Sequence, residues 1–251
     1  GNSTEAIFEL NFDKDGKMNG ATANLYGNTT KGKSAHFEPT AQLFNTYLDV
    51  QYDYRARDFI AATVEAGSDG SVVPPTSFKV FKYEGQSPAL HTSDEYSYRA
   101  STSTANWIFY RLSDIYLMKA EALAELAVTD DERKTVISLC NVTYKRATME
   151  MDSLEYADYP SMDAVKAMVL QERQRELCFE GKRWYDLLRK VRREGATAGA
   201  YALLEKAYAR EVSTYKARLS NPEAWYLPIS LTEMNANTQL HQNSYYAMKE
   251  Q

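Results

Sequence analysis

The stretch Glu172-Arg173-Gln174-Arg175-Glu176-Leu177-Cys178-Phe179-Glu180-Gly181-Lys182-Arg183-Trp184-Tyr185-Asp186-Leu187-Leu188-Arg189 decides how this chain of 251 residues folds. Read with the residues before it, Val165, Val169, Glu172, Glu176 and Glu180 step by four, three, four and four. That spacing places them on one helix face, which changes from apolar to acidic without turning. A helix is expected from near Ser161 to Glu180. Gly181 interrupts it, and Arg183 to Arg189 open another. A carboxylate on a face otherwise buried is expensive unless a cation neutralises it. Arg175, Arg183, Arg189 and the more distant Arg111 are the expected partners. Paired carboxylates are also the equipment of a glycoside hydrolase, which sets two of them on either side of a scissile bond. These lie on one helix beside its own arginines and not across a cleft, so the structural reading is preferred.

Upstream, Phe109, Leu112, Tyr116, Ala120, Leu123 and Ala127 read as one helical stripe, while the other, with Arg111, Asp114, Glu121 and Glu125, is polar apart from Met118. Thr129 with Glu132 forms a capping box, and Asp130 and Asp131 suit a positive helix N-terminus. Val136, Cys140, Tyr144 and Ala147 then share the face of a second helix. Two helices joined by a short turn make an αα-hairpin of helical-repeat type, with no second copy at a fixed period.

Residues 1–105 read differently. Ile7 to Phe12 alternates as a strand, and a loop rich in Asn, Gly, Thr and Lys is expected from Asp13 to Ser34. A short helix fits Thr40 to Tyr47. Tyr52 to Ile60 should lead into a strand, with Asp53-Tyr54-Arg55 as a salt-bridged turn, and Phe78 to Tyr83 alternates again. A long loop should reach Thr104. Beyond the helical core at 106–219, with a moderate helix over Tyr201 to Leu219, residues 220–251 are expected to run as coil. The fold class is therefore mainly α: tetratricopeptide-like helices, plus an irregular, loop-rich region with a few short β-strands.

Composition narrows the function. Lys and Arg number 29 against 34 Asp and Glu, a net charge of −5, which disfavours a non-specific nucleic-acid binder. Cys140 and Cys178 fall in apolar helical patterns and read as buried thiols. With only His36, His91 and His241 in the chain, neither a metal cluster nor a nucleophile–histidine pair is expected, and no catalytic residue or cofactor is assigned. No Gly-rich phosphate loop is present. Tyr supplies 19 residues against 9 Phe and 3 Trp, rings with one wet end that suit sugar or peptide grooves as well as half-buried packing. Tyr116, Tyr144 and Tyr185 fall on helix patterns and read as scaffold. Trp107, Trp184 and Trp225 read as core.

Several segments together resemble the SusD/RagB family of outer-membrane nutrient-binding lipoproteins. Glu172 to Arg189 is similar to that family's E-R-x-R-E-L-x-F-E-G-x-R-W-F-D-L-x-R signature. Trp107 to Ala122, Leu139 to Ala147, Leu227 through Tyr246, the opening Glu5 to Glu9 and the Asp53-Tyr54-Arg55 turn resemble its other segments in order and spacing. Lys182 stands where His is common, Cys178 where Ala is common, and Ser230 and Thr238 where Pro is common. The resemblance implies a structural role for Arg111, Glu172, Arg175, Glu176, Glu180, Arg183, Trp184 and Asp186. It also implies a chain of about twice this length, of which residues 1–251 would be the C-terminal half. The N-terminal helical repeats and the lipid anchor would lie outside it. The implied activity is non-catalytic binding of glycan, or peptide, at the surface of a Gram-negative outer membrane, for a SusC-like TonB-dependent transporter. Family ligand contacts lie in variable loops. The candidates here are therefore the polar-loop residues Tyr26, Asn28, His36 and Phe37, then Tyr96 and Tyr98. A helical-repeat module binding only protein, or less favourably a glycoside hydrolase, is the alternative.

Overall fold

A computed structural model of the chain describes residues 4–13, 15, 19–26, 36–48, 50, 52–62, 65–66, 72–73, 78–83, 105–194 and 212–247. The fold is mainly α, with a few short strands. The chain divides into two compact units, residues 1–181 and 182–251.

In the first unit three long helices make the core: α4 (Leu112–Leu126), α5 (Asp130–Ala147) and α6 (Met162–Leu177). Leu117, Val136, Cys140, Val165, Val169 and Leu177 meet between them. The α4–α5 hairpin forms as expected. The Thr129 hydroxyl accepts from the Glu132 N–H at 3.3 Å, and the Glu132 carboxylate accepts from the Thr129 N–H at 3.0 Å. The expected face of α5 is buried throughout, and Ser161 caps α6 by accepting from the Ala164 N–H at 3.2 Å.

α4 corrects the reading of its stripes. Ser113, Asp114, Leu117, Ala120 and Ala124 are buried, while Leu112 lies exposed. Part of the expected polar stripe turns inward, because α6 sets Arg173 3.2 Å from Asp114 and 3.5 Å from Glu121, while Met118 of that stripe is exposed and Ala120 of the apolar one is buried. Phe109 is not on this helix. It belongs to strand β6 (Trp107–Arg111), which pairs antiparallel with β1 (Ala6–Leu10), Ala6 opposite Arg111 and Leu10 opposite Trp107.

The remaining elements of this unit are short. Helix α1 (Gly20–Tyr26) forms inside the stretch expected to be loop. Its starter is Asn19, buried, whose side chain accepts from the Thr22 N–H at 3.0 Å and donates to the Ala105 carbonyl at 2.8 Å. Helix α2 (Ala41–Leu48) matches expectation, with Thr40 accepting from the Leu43 N–H at 3.1 Å. The 52–60 segment holds a turn of helix, α3 (Arg55–Phe59), before the expected strand. That strand, β2 (Ile60–Ala62), pairs antiparallel with β5 (Phe78–Val80). Between them lies a minimal pair, β3 (Glu65–Ala66) and β4 (Val72–Val73).

α6 ends at Leu177, one turn short of Glu180. Phe179 and Gly181 take positive φ, 67° and 75°. Gly181 does so freely because it has no Cβ. Phe179 is held there by its own carbonyl, which accepts from the Tyr26 hydroxyl at 2.6 Å and the Tyr83 hydroxyl at 3.0 Å.

In the second unit α7 (Arg183–Glu194) buries Leu187, Leu188 and Val191 with Leu219 and Trp225, and Trp184 packs on their flank. Helix α8 (Val212–Leu219) is the described part of the helix expected from Tyr201. The Trp225 indole donates to the Leu219 carbonyl at 2.9 Å. The expected terminal coil is interrupted by α9 (Leu231–Ala236), capped by Ser230, and α10 (Ser244–Ala247). Tyr185 departs from its reading as scaffold, with its ring exposed on α7.

Replacing Thr129 by Ala removes the hydroxyl that accepts from the Glu132 N–H, leaves the backbone half of the capping box, and should cost about 1 kcal/mol. A urea midpoint unchanged from wild type would show that α5 does not depend on this cap.

Candidate functional site

The end of α6 gathers the chain's buried charge. Glu172 is 0% exposed and Glu176 2%. Arg55, at the start of α3, reaches both. Its Nη1 lies 2.8 Å from Glu172 Oε1 and 3.2 Å from Glu176 Oε2, and its Nη2 lies 2.7 Å from Asp53. Arg111, at the end of β6, lies 2.6 Å from Glu176, 2.8 Å from Glu180 and 2.9 Å from Glu5. Its Nη2 also donates to the Glu176 carbonyl at 2.8 Å, one of the last acceptors of α6. Lys82 completes the ring. Its ammonium lies 2.5 Å from Glu180, donates to the Glu176 carbonyl at 2.8 Å, and sits over the Phe59 ring. Arg175 pairs with Glu172 at 3.0 Å, Thr143 donates to Glu172 at 2.6 Å, and Arg146 pairs with Glu176.

Among these groups five carboxylates (Glu5, Asp53, Glu172, Glu176, Glu180) face five cations (Arg55, Lys82, Arg111, Arg146, Arg175). The cluster is electrically balanced. Burial alone would push the Glu176 carboxyl up, but Arg111, then Arg146 and Arg55, outweigh it and hold it down to about 2. A general acid needs the opposite shift. Glu176 is instead a permanent anion with its lone pairs taken by guanidinium and ammonium groups.

The expected partners divide accordingly. Arg175 and Arg111 take the places foreseen for them. Arg189 pairs instead with Asp186 on its own helix, at 2.6 Å, and Arg183 heads α7 in the second unit. Arg55, Lys82 and Arg146 were missed as partners. Their signal was faint: a short Asp53-Tyr54-Arg55 motif read only as a turn, and two cations in unremarkable contexts. The thiols behave as read. Cys140 and Cys178 are free and buried, and burial pushes both up and out of reactive range.

The ring candidates also divide. Tyr26 is not a loop residue: it closes α1 and is 8% exposed. Its ring stacks on Tyr83 and Trp107, at 5.5 and 6.4 Å between centroids, and its hydroxyl is committed to the Phe179 carbonyl. Neither a face nor a polar tip is left for a ligand. His36 and Phe37 are exposed, Phe37 at 60%. The His36 Nδ1 lies 2.6 Å from the Asn24 carbonyl, and the Phe37 N–H donates to the Leu25 carbonyl at 2.9 Å. The last turn of α1 thus fixes the backbone beneath an open ring. Asn28, Tyr96 and Tyr98 lie outside the described residues. No group of three or more metal-ligating side chains occurs among the described residues, and none of their helices is long and apolar enough to cross a membrane.

A family model described as SusD family matches residues 73–246. SusD-like protein P2 of Formosa agariphila is 27% identical over 152 residues, which make up 57% of this chain and 30% of that protein. A SusD superfamily structure from Bacteroides vulgatus superposes with a TM-score of 0.66 at 21% identity, covering 97% of this chain and 51% of that one. Surface glycan-binding protein A from Bacteroides uniformis gives 0.61 at 20% identity, covering 97% of this chain and 49% of that one. The chain spans less than a third of the curated relative and about half of these solved structures.

Replacing Arg111 by Met takes from Glu176 one of three cations and from Glu180 one of two, leaving Arg55, Arg146 and Lys82, and should destabilise the chain by roughly 3 kcal/mol. A melting temperature within error of wild type would contradict the geometry. pH gives a second check. Because Glu176 is lowered in the folded state, its stabilisation is complete above about 4.5 and is lost as pH falls toward about 2. Thermal stability should therefore drop steeply across that window. A flat profile there would show that the carboxylate is not paired in solution.

Proposed function

The chain belongs to the SusD family, and on that premise we propose that it is part of a non-catalytic surface protein that binds glycan, or peptide. In this reading it works at the outer membrane of a Gram-negative bacterium and hands its ligand to a SusC-like TonB-dependent transporter. The observation that carries the reading is the family match over residues 73–246, which spans the buried signature helix. Residues 1–251 are taken as the C-terminal half of a longer polypeptide whose other half brings further helical repeats and a lipid anchor. The chain's reach over about half of its solved relatives supports this.

The electrostatics support a binding and not a hydrolytic role. The carboxylates that a glycosidase would use are buried and neutralised at the end of α6. Sugar binding by contrast asks for an open ring face, which meets the apolar side of a pyranose, and for amides or charges to meet its hydroxyls. Phe37 offers such a face with His36 beside it. Asn28, Tyr96 and Tyr98 complete the proposed binding set, and Tyr26 serves as scaffold. Glu172, Glu176, Glu180, Arg111 and Arg175 hold the fold and touch no ligand.

A glycan array on the full-length protein tests this. Binding to one glycan class without release of reducing ends is the expected result, and Phe37→Ala should weaken it about tenfold or more, with the melting temperature unchanged. Capture of a transporter with no response to any glycan or peptide would favour the protein-only module instead. Turnover of a bound glycan would overturn the non-catalytic reading.

A further inference from the structure

Where the chain returns alongside α5 it leaves a groove of about 470 Å³, lined by residues of that helix and of the segment 150–156. Ile137, Val142 and Leu154 give the groove aliphatic surface. The return is pinned to the helix. The Asn141 side chain donates to the Leu154 carbonyl at 3.0 Å and accepts from the Leu154 N–H at 2.8 Å, and the Tyr144 hydroxyl donates to Asp152 at 2.8 Å. A groove held this way is formed before a ligand arrives, and its volume is that of a small-molecule site.

Its charges are arranged as two couples. At the end of α5, Met149 and Glu150 take φ of 50° and 61°, left-handed positions that residues with a Cβ seldom adopt. The Glu150 N–H donates to the Lys145 carbonyl at 2.8 Å, which keeps Glu150 beside Lys145 at one end of the groove. The side chains of Lys145 and Glu150 form no hydrogen bond or ion pair with any described residue. Toward the other end, the Lys134 ammonium lies 5.4 Å from the centre of the Tyr156 ring, next in the chain to Glu155. This couple is engaged only at the solvent side, Lys134 with exposed Asp131 at 3.3 Å and Glu155 with the Ser153 hydroxyl. The two lysines stand about three turns, roughly 16 Å, apart along α5.

This pattern selects a ligand chemistry. Each end offers one donor and one acceptor of opposite charge. Neighbouring hydroxyls of a sugar meet both at once, because a hydroxyl donates and accepts. A ligand charged at its ends, such as a short free peptide, meets at each end one group that opposes it. A glycan with a carboxylate on every unit is likewise opposed by Glu150 and Glu155. The aliphatic surface between the couples suits the C–H face of a pyranose. Stacking on Tyr156 is not available, since the Arg133 guanidinium covers that ring 4.3 Å from its centre.

We propose that the groove between α5 and residues 150–156 is a subsite for a neutral oligosaccharide, gripped by the Lys145–Glu150 and Lys134–Glu155 couples. This rests on the reading of the protein as a glycan binder and adds a contact on a different element from Phe37. It also narrows the ligand class to uncharged glycans.

Acetylation of the full-length protein with an N-hydroxysuccinimide ester, read lysine by lysine by mass spectrometry, tests this. The probes are maltohexaose, cellohexaose, mannohexaose and xylohexaose as neutral chains, hexagalacturonate as an acidic one, and a tryptic digest of casein as peptide. At least one neutral hexasaccharide should slow Lys145 by about fivefold or more, while Lys119, exposed on α4, keeps its rate. Hexagalacturonate should slow Lys145 less than about twofold. Glu150→Ala with Glu155→Ala should abolish the protection and leave the melting temperature unchanged. Failure of every neutral hexasaccharide to protect Lys145 would overturn the proposal, as would equal protection by hexagalacturonate or protection that survives the double substitution. Protection by the casein peptides alone would assign the groove to peptide and overturn it too. Calorimetry on the same samples separates the two sites. Glycan binding that Phe37→Ala weakens, with Lys145 never protected, sinks the groove alone. Lys145 protection with an affinity that Phe37→Ala leaves unchanged sinks the Phe37 site alone.

Discussion

Everything in the first unit answers to one constraint: three glutamates on α6 and the turn after it are buried, and each must be neutralised where it stands. Glu172, Glu176 and Glu180 cannot reach water, so the chain brings cations to them from α3, β6, α5 and the turn after β5. Such a cluster adds little net stability, because desolvation consumes most of the attraction. Its consequence is uniqueness. If Arg55 is displaced by one position, buried Asp53 loses the guanidinium beside it, and an unneutralised buried charge costs more than most errors of apolar packing. The geometry therefore rejects alternative placements of the short elements around α6.

The same constraint explains what was legible in the sequence. The capping box at Thr129, the buried face of α5 and the start of α6 near Ser161 are local, set by residues three or four apart, and the structure shows each where it was expected. The acidic stripe on α6 was legible as well, because a charge pattern in phase with an apolar one is rare unless it is internal. The identity of its partners was legible only in part. Arg55 and Arg111 stand 117 and 65 residues from Glu172 and Glu176 in the chain, and no local period connects them.

The misreadings share a cause. On α4 the polar stripe was set apart from the apolar one because hydrophobic periodicity assumes that charge faces water. Here Arg173 draws Asp114 and Glu121 of that stripe inward beside Leu117, Ala120 and Ala124. α1 was missed because its stretch is rich in turn-forming residues. One buried asparagine, Asn19, converts it to helix by capping the Thr22 N–H while holding the Ala105 carbonyl. Tyr26 was assigned to a ligand for the same reason. Once α1 exists, its last residue falls on Tyr83 and Trp107 and becomes core.

Scaffold and the proposed binding residues therefore meet at one turn. The C-terminal end of α6 and the turn after it accept the hydroxyls of Tyr26 and Tyr83, the ammonium of Lys82 and the guanidinium of Arg111, so α1, β6 and the turn after β5 are tied to a helix end as well as to one another. Phe37 inherits that anchoring through the Leu25 carbonyl of α1. A ring held this way is fixed through its backbone, while its side chain stays exposed. A scaffold that concentrates its obligations in a few buried ion pairs leaves its surface loops open to change. That is the physical condition under which one fold can present different ring surfaces to different ligands.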